Sequence, residues 1–317
     1  MASPNSNFTD IITSTLQGYS KKMADNITNH NALLRHLDEK GNKKDATGRT
    51  IVQELEFAVN GTVKWYAGYE TLNVSASETY TAAEFNYKQL NGNVVISGLE
   101  QIQNSGPEAV HNLLKSRIKT LEKSLKNTMA TALYADGTGS SAKEIGGLQH
   151  LVQDAGAGTV GGIDSATNSW WQNQIYDFST EGVTAGSDTI QSAMNKLWIL
   201  CVRGADKTDV ITADSVYYRY YWESLQPQQR FTSDRKAAAG FMNLMFMDAP
   251  VFYDDQCPAS HMYFLNTDYL FLRPAKGREF VPLGNRQPIN QDAEVVPMVW
   301  GGNITCNGRQ FQGVIVA

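Results

Sequence analysis

Apolar residues recur at two different periods along this chain of 317 residues. Between about 49 and 98 the period is two. Ile51, Leu55, Phe57, Val59, Val63, Trp65 and Tyr69 all sit at odd positions. Such alternation predicts a strand with one apolar face. Asn60-Gly61 predicts a turn or bulge within it. Thr71–Ala82 is small, polar and Thr/Ser-rich, as an extended hairpin tip would be. Phe85 and Tyr87 start a return strand, Asn91-Gly92-Asn93 punctuates it, and Val94-Val95-Ile96 ends it. The predicted object is a long two-stranded ribbon. An isolated ribbon is marginal in water, so its aromatic face needs a partner surface. No such surface is obvious within one subunit.

The period then changes. Ser105-Gly106-Pro107-Glu108 carries a capping serine, a proline for the first turn and an acid near the positive helix end. Val110, Leu114, Ile118, Leu121, Leu125, Met129 and Ala132 follow every three or four residues. This predicts a helix over about 107–135, stopped by Asp136-Gly137. It is roughly 29 residues and about 43 Å long, long for a globular helix. Its other face carries Lys115, Arg117, Lys119, Lys123 and Lys126 against Glu108 and Glu122. Such a basic face is usually just solvated.

Residues 1–48 are polar, with short apolar stripes at Phe8, Ile11, Ile12, Leu16 and at Ile27, Leu33, Leu34, Leu37. They are expected to be mostly helical or loose, interrupted at Gly41–Asp45. Such a segment builds no core of its own, so it packs on something else or stays mobile. Residues 137–187 are rich in Gly, Ser, Ala and Thr around Trp170-Trp171 and predict loops with short strands. Thr189–Arg203 and Ser215–Gln226 predict helices. Asp209–Asp214, Asp248–Asp254, Met262–Arg273, Val295–Trp300 and Phe311–Ala317 predict strands. The class is α+β.

Composition narrows the function. There are 27 basic and 32 acidic side chains, a formal net charge of −5, which argues against a free-standing nucleic-acid reader. Charged residues are 19% and hydrophobic ones 42%, unlike a disordered acidic chain. The low charged fraction fits a surface covered by neighbours. The acidity is uneven. Residues 1–135 hold 14 basic against 13 acidic groups, 136–267 hold 8 against 15, and 268–317 hold 5 against 4. Apolar runs such as Leu197–Val202 are far shorter than the ~20 residues of a spanning helix. The first residues lack the basic start and apolar stretch of a secretory signal, so none is expected. Cys201, Cys257 and Cys306 are odd in number and scattered, which predicts reduced, intracellular thiols. Asn-x-Ser/Thr triplets at Asn7, Asn26, Asn60, Asn73 and Asn303 are then chance matches.

Candidate chemistry is sparse. Gly156-Ala157-Gly158-Thr159-Val160-Gly161 matches G-x-G-x-x-G, but no clear strand precedes it and no helix opens after it, so a flexible loop is expected. There is no phosphate-loop lysine motif, G-x-S-x-G elbow, H-E-x-x-H or Cys-x-x-Cys pair. His30, His36, His111, His150 and His261 have no metal-ligand spacing. Asp254-Asp255 suits a strand-end turn better than a pair of catalytic acids. Lys64, Trp65, Tyr66 and Tyr69 admit a nucleic-acid stacking reading. With Glu54, Glu56 and Glu70 nearby, burial against a neighbouring subunit is the better one. No catalytic residue, cofactor or metal is expected.

The order of elements is specific: polar arm, long ribbon, long helix, compact mixed region, closing strands. It resembles the major capsid proteins of tailed bacteriophages, with the Hong Kong ninety-seven-type capsid fold. Local phrases carry the resemblance. Phe85-Asn86-Tyr87-Lys88-Gln89-Leu90 leads into Val94-Val95-Ile96-Ser97-Gly98, and Asn104-Ser105-Gly106 precedes the helix. Ala135-Asp136-Gly137-Thr138-Gly139 ends it, before Ile145-Gly146-Gly147-Leu148, Thr167-Asn168-Ser169-Trp170-Trp171 and Asp209–Asp214. The resemblance spans nearly the whole chain, and its specificity lies in the order of the phrases.

The resemblance implies an N-terminal arm at 1–48 and an extended E-loop hairpin at 49–90. It implies a P-domain at 91–137 and 268–317 built on the spine helix, with the last strand joining the A-domain at 138–267. It also implies a structural subunit without catalysis, self-assembling as hexamers and pentamers into an icosahedral shell around phage DNA in the host bacterial cytoplasm. A separate scaffolding protein, a portal and a decoration protein are the implied partners, and no membrane is involved. Phe57, Val59, Val63, Trp65, Tyr69, Phe85 and Tyr87 would be buried on the adjacent subunit. Lys115, Arg117, Lys119, Lys123 and Lys126 would face the lumen and touch DNA without sequence preference. The lysine–asparagine cross-link of some members is not carried over: Lys64 lies in the ribbon, but no partner Asn or catalytic Glu is matched. The alternatives are an encapsulin-like cargo shell and a nucleotide-using enzyme.

Overall fold

The computed structural model describes residues 32–103, 113–225, 244–284 and 286–317. The stripe at Phe8–Leu16, the expected helix start at Ser105–Glu108, His30 and His111 lie outside the described residues.

The first described element is helix α1 (Ala32–Glu39), which buries Leu33 and Leu37. The chain then runs along the sheet edge. Lys44 and Ala46 donate to the carbonyls of Leu272 and Pro274 (3.1 and 2.8 Å), and Leu272 donates to Asn42 (3.0 Å). The described part of this segment, residues 32–48, therefore packs on the body.

Strands β1 (Ile51–Glu56) and β2 (Tyr80–Phe85) form the antiparallel ribbon, in register from Ile51 opposite Phe85 to Glu56 opposite Tyr80. The odd face of β1 is buried, as the alternation predicts. The strand ends at Glu56, however, although the alternation continues to Tyr69. Beyond Phe57, among the described residues, no strand pairs with it and nothing covers its apolar face. Alternation is a pattern of burial, and it makes a strand only where something does the burying.

The return differs too. After Phe85 the chain leaves the ribbon. Strand β3 (Lys88–Ser97) pairs with the long strand β13 (Ala293–Cys306) over ten residues, from Ala293 opposite Ser97 to Gly302 opposite Lys88. Strands β11 (Leu270–Pro274) and β12 (Val281–Pro282) pair with β13 as well, completing a four-stranded sheet. Val94 and Ile96 of β3 meet Val296 of β13, so the apolar alternation of the return serves this sheet.

Helix α2 (Gly98–Gln103) follows β3, and the long helix α3 (Leu113–Tyr134) lies across it. Ile118 and Leu121 pack on Val94 and Ile96, while Leu125, Met129, Ala130 and Leu133 are buried further along. Gly92 is where the helix comes closest. A Cβ there would stand 2.4 Å from Leu121 Cδ1.

The remaining region holds a second core. Its sheet has the order β6-β14-β10-β7-β9-β8. These strands are β6 (Gln174–Asp177), β7 (Val210–Ala213), β8 (Leu244–Phe246), β9 (Ala249–Tyr253), β10 (His261–Leu265) and β14 (Gly313–Val316). Helices α4 (Ile190–Cys201) and α5 (Ser215–Leu225) cover it. Helix α4 buries Ile190, Ala193, Met194, Leu197 and Cys201, a helical stripe. The chain thus ends inside the second sheet, after β13 has crossed the first.

Candidate assembly surfaces

The ribbon carries the most unusual surface. Its tip, residues 58–78, has no regular strand. Asn60 Oδ1 accepts from the backbone and hydroxyl of Thr62 (3.0 and 2.7 Å), a local turn that replaces strand pairing. Lys64 Nζ donates to the Thr71 carbonyl (3.0 Å) across the tip. Trp65 is 101% and Tyr69 108% exposed, and Val59, Val63 and Val74 are exposed with them. Apolar side chains bared together in this way mark an interaction site.

The seven ribbon residues expected on a neighbour divide. Val59, Val63, Trp65 and Tyr69 are bare. Phe85 is a correction: it is 5% exposed and sits in its own chain's core, so no neighbour can cover it. It belongs to the inward face of β2, at the ribbon base. Tyr87 is half-buried against the same core. Phe57 rests on Trp170, ring centroids 5.7 Å apart.

The ribbon base rests on a support that the glycine motif supplies. Strands β4 (Thr159–Val160) and β5 (Ile163–Asp164) form a small hairpin turning at Gly161 and Gly162, with φ of 61° and 80°. Two successive positive φ values are what a tight two-residue hairpin turn requires. Glu84 of the ribbon donates its backbone N–H to the Gly161 carbonyl (2.9 Å), and the Trp171 indole donates to Val160 (3.0 Å). No helix opens here. Gly156–Gly161 is a brace for the ribbon, and it is a built loop rather than the flexible one expected.

The basic face of α3 also needs revision. Arg117 makes a bidentate pair with Glu100, each nitrogen 3.0 Å from its oxygen, and donates to the Val95 carbonyl (2.9 Å). It ties α3 to α2 and β3, so its charge is engaged within the subunit rather than offered outward as expected. Its hydrogen bonds hold the Glu100 carboxyl below the ordinary carboxylate range. Lys115, Lys119 and Lys126 are exposed and Lys123 is half-buried. Their spacing puts them along one helix face.

The other candidates are structural. Asp254 is buried at the end of β9, accepting from Tyr134 Oη (2.9 Å) and the Gln256 N–H (3.1 Å); burial raises its carboxyl. The turn expected at Asp254-Asp255 is present. His261 faces Asp154 at 3.2 Å, and His36 lies 3.8 Å from Asp209. Among the described residues no group of three or more His, Cys, Asp or Glu is placed to hold a metal ion. Cys201, Cys257 and Cys306 are buried and unpaired, and burial pushes the Cys201 and Cys306 thiols up to about 12. Such thiols are inert packing groups. Among the described residues no helix is long and apolar enough to cross a membrane.

No family model and no curated protein matches the chain. Solved structures do. The capsid asymmetric unit of cyanophage A-1(L) is similar at a TM-score of 0.70 and 17% identity, over 95% of this chain and 96% of that one. The SrpI encapsulin of Synechococcus elongatus PCC 7942 is similar at 0.63 and 10% identity, over 98% and 95%. The capsid of Myoviridae phage XM1 is similar at 0.59 and 12% identity, over 95% and 96%. The likeness therefore covers ribbon, long helix and both sheets together. The chain has the Hong Kong ninety-seven-type capsid fold.

Proposed function

We propose that this chain is a major capsid protein, the repeating subunit of an icosahedral bacteriophage shell. One observation carries the reading: a subunit of this fold holds out a ribbon whose tip bares Val59, Val63, Trp65 and Tyr69. A monomer gains nothing from that surface. A neighbour that covered it would gain about 5 kcal/mol of gross hydrophobic drive for each aromatic ring, at ~25 cal/mol per Å2 over roughly 200 Å2. Repeated around hexamers and pentamers, this holds a shell.

In this reading residues 1–48 are the N-terminal arm, 49–87 the E-loop (its expected end at 90 moved back because Lys88–Leu90 pair in the sheet with β13), 88–137 and 268–317 the P-domain, and 138–267 the A-domain. The last strand crosses into the A-domain sheet. The spine-helix lysines Lys115, Lys119, Lys123 and Lys126 face packaged DNA, a contact without sequence preference that weakens with salt. A scaffolding protein guides assembly, and portal and decoration proteins complete the particle. The chain itself does no catalysis.

The likeness to an encapsulin supports a second reading, a cargo shell of the same fold. What the lumen holds separates the two: phage DNA or an enzyme. Electron microscopy of the purified protein, with and without its scaffold, should show capsomers or closed shells. A protein that stays monomeric in both preparations overturns both readings.

A further inference from the structure

Asparagine is followed by glycine at Asn60-Gly61, Asn91-Gly92 and Asn307-Gly308. Such a pair is open to attack by its own backbone. The glycine nitrogen reaches the asparagine side-chain amide, and no Cβ stands in the way. The fold treats the three pairs differently. Asn91 and Gly92 lie in β3, opposite Val299 and Met298 of β13, so the ladder holds their backbone extended. Asn307 donates its N–H to the Tyr269 carbonyl (3.1 Å), and Gly308 is packed so closely that a Cβ would stand 2.8 Å from both Tyr269 and Phe311. Asn60 and Gly61 are exposed at the ribbon tip. The Gly61 N–H donates to no group among the described residues, and a Cβ there would touch nothing. Thr62 adds a second feature. Its N–H and its hydroxyl both donate to Asn60 Oδ1, at 3.0 and 2.7 Å. That oxygen takes up negative charge when a nucleophile adds to the amide carbon. Two donors aimed at a developing oxyanion are the arrangement that acyl-transfer sites use.

We propose that Asn60 is a self-modifying residue, which the free subunit converts to aspartate and isoaspartate without an enzyme. The Gly61 nitrogen gives its proton to water and bonds to Asn60 Cγ. The oxyanion that results lies under the two Thr62 donors. As it collapses, the Cγ–Nδ2 bond breaks, and Nδ2 takes up a proton and leaves as ammonia. A five-membered succinimide ring remains, and water opens it at either carbonyl. The net change turns one amide and one water into one carboxylate and one ammonium ion, so the step needs no oxidant, reductant or cofactor. Either product puts a new negative charge beside the bare Val59 and Val63. Opening at the main-chain carbonyl gives isoaspartate, in which the chain runs through Cγ. The Asn60 carbonyl that accepts from the Val63 N–H (3.3 Å) then leaves the main chain, and the turn opens. The tip also holds a natural control. Asn73 Oδ1 accepts from the Ser75 N–H and hydroxyl (3.0 and 2.8 Å) in the same way, and it is exposed too. The residue between them is Val74, whose branched side chain crowds the attacking nitrogen. The two asparagines share donors and exposure and differ in the residue that attacks.

The test incubates the dispersed full-length subunit in mildly alkaline buffer, digests samples over time and reads the peptides by mass spectrometry. Isoaspartate is labelled with isoaspartyl methyltransferase. The Asn60 peptide should gain the mass of amide-to-acid exchange roughly tenfold faster, or more, than the peptides carrying Asn73, Asn91 and Asn307. Gly61→Val should bring Asn60 down to the Asn73 rate. Thr62→Val keeps the N–H donor and removes the hydroxyl. It should slow conversion about threefold to tenfold, less than an oxyanion donor contributes in a dry enzyme site, because water competes at the tip. Conversion at Asn60 no faster than at Asn73, or unchanged by Gly61→Val, overturns the proposal. Conversion unchanged by Thr62→Val overturns the role given to its hydroxyl. The measurement is made on the free subunit, so its outcome is independent of whether shells form.

Discussion

Arg309 is fully buried, yet no acidic side chain pairs with it among the described residues. Its guanidinium is satisfied by acceptors instead: the Leu151 carbonyl at 2.7 Å, the Trp171 carbonyl at 2.9 Å and Asn173 Oδ1 at 3.0 Å. Burial lowers its pKa to about 10, so it remains charged at neutral pH. The three acceptors sit at the end of a short helix (Leu148–Leu151), at the end of a helical turn (Ser169–Trp171) and just before β6, and the arginine gathers them from the turn after β13. Arg309→Met keeps the volume and removes every donor. Each orphaned buried acceptor costs about 1–3 kcal/mol, so the variant should lose roughly 3 kcal/mol or more, measured by urea denaturation of the dispersed subunit. A loss below ~1 kcal/mol would mean that water replaces the guanidinium. The sequence held no sign of this role. A buried arginine that gathers carbonyls has no spacing rule, because its acceptors belong to segments more than a hundred residues away. The three cysteines were legible, since scattered thiols without partners have few other fates than burial.

At the scale of elements, the arm is held to the body by ion pairs, and this gives a pH dependence with a definite sign. Burial pushes the Asp209 carboxyl upward, but hydrogen bonds from Lys40 Nζ and from the Thr267 hydroxyl and N–H (2.5 and 2.8 Å) outweigh it. His36, at 3.8 Å, is too far to add a hydrogen bond. The carboxyl therefore titrates below its unfolded value of ~3.9. A depressed carboxyl stabilises the fold above the unfolded pKa and loses that contribution as pH falls toward the folded one. Stability should thus fall steeply below about pH 4. Asp209→Asn should flatten that part of the curve and weaken the fold at pH 7, as urea midpoints between pH 3 and 7 will show. A second element-level prediction concerns the end of α3. A Cβ on Gly147 would stand 2.4 Å from the carbonyl oxygens of both Ala132 and Leu133, atoms that cannot move aside. Gly147→Ala should cost about 1–3 kcal/mol, seen as a lowered Tm. The helices were the most legible elements: α4 buries the stripe that its period announces, and α3 buries Leu125 and Met129 of its own, with Ile118, Leu121 and Ala132 half-buried. The ribbon was half legible. Its paired base obeys period two, but the same alternation over Val59–Tyr69 belongs to a surface bare among the described residues of the subunit. The G-x-G-x-x-G match misled only in expecting a loose loop, since consecutive glycines serve a tight hairpin equally well.

The whole molecule separates what folds the subunit from what assembles it, and Trp65 tests that separation. Fully exposed, Trp65 contributes no burial to the fold of its own chain. Trp65→Ala should therefore leave subunit stability within about 0.5 kcal/mol of wild type, as surface substitutions usually do. Assembly should respond very differently. An aromatic anchor at the centre of a contact commonly contributes about 3 kcal/mol, which is roughly a hundredfold in association at each contact. In the proposed shell the contact would recur at every subunit, so the loss would repeat with it. Circular dichroism and thermal melting should match wild type, while sedimentation shows capsomers or free subunits under conditions where wild type forms shells. Equal loss of folding and assembly would place Trp65 in the core of its own subunit, and unimpaired assembly would remove the ribbon tip from the contact. The same logic accounts for the low charged fraction of the sequence. A chain that hid its surface in the proposed shell would not need charge to keep that surface in water, and the bare ribbon tip at Val59, Val63, Trp65 and Tyr69 is where that reading puts a next copy.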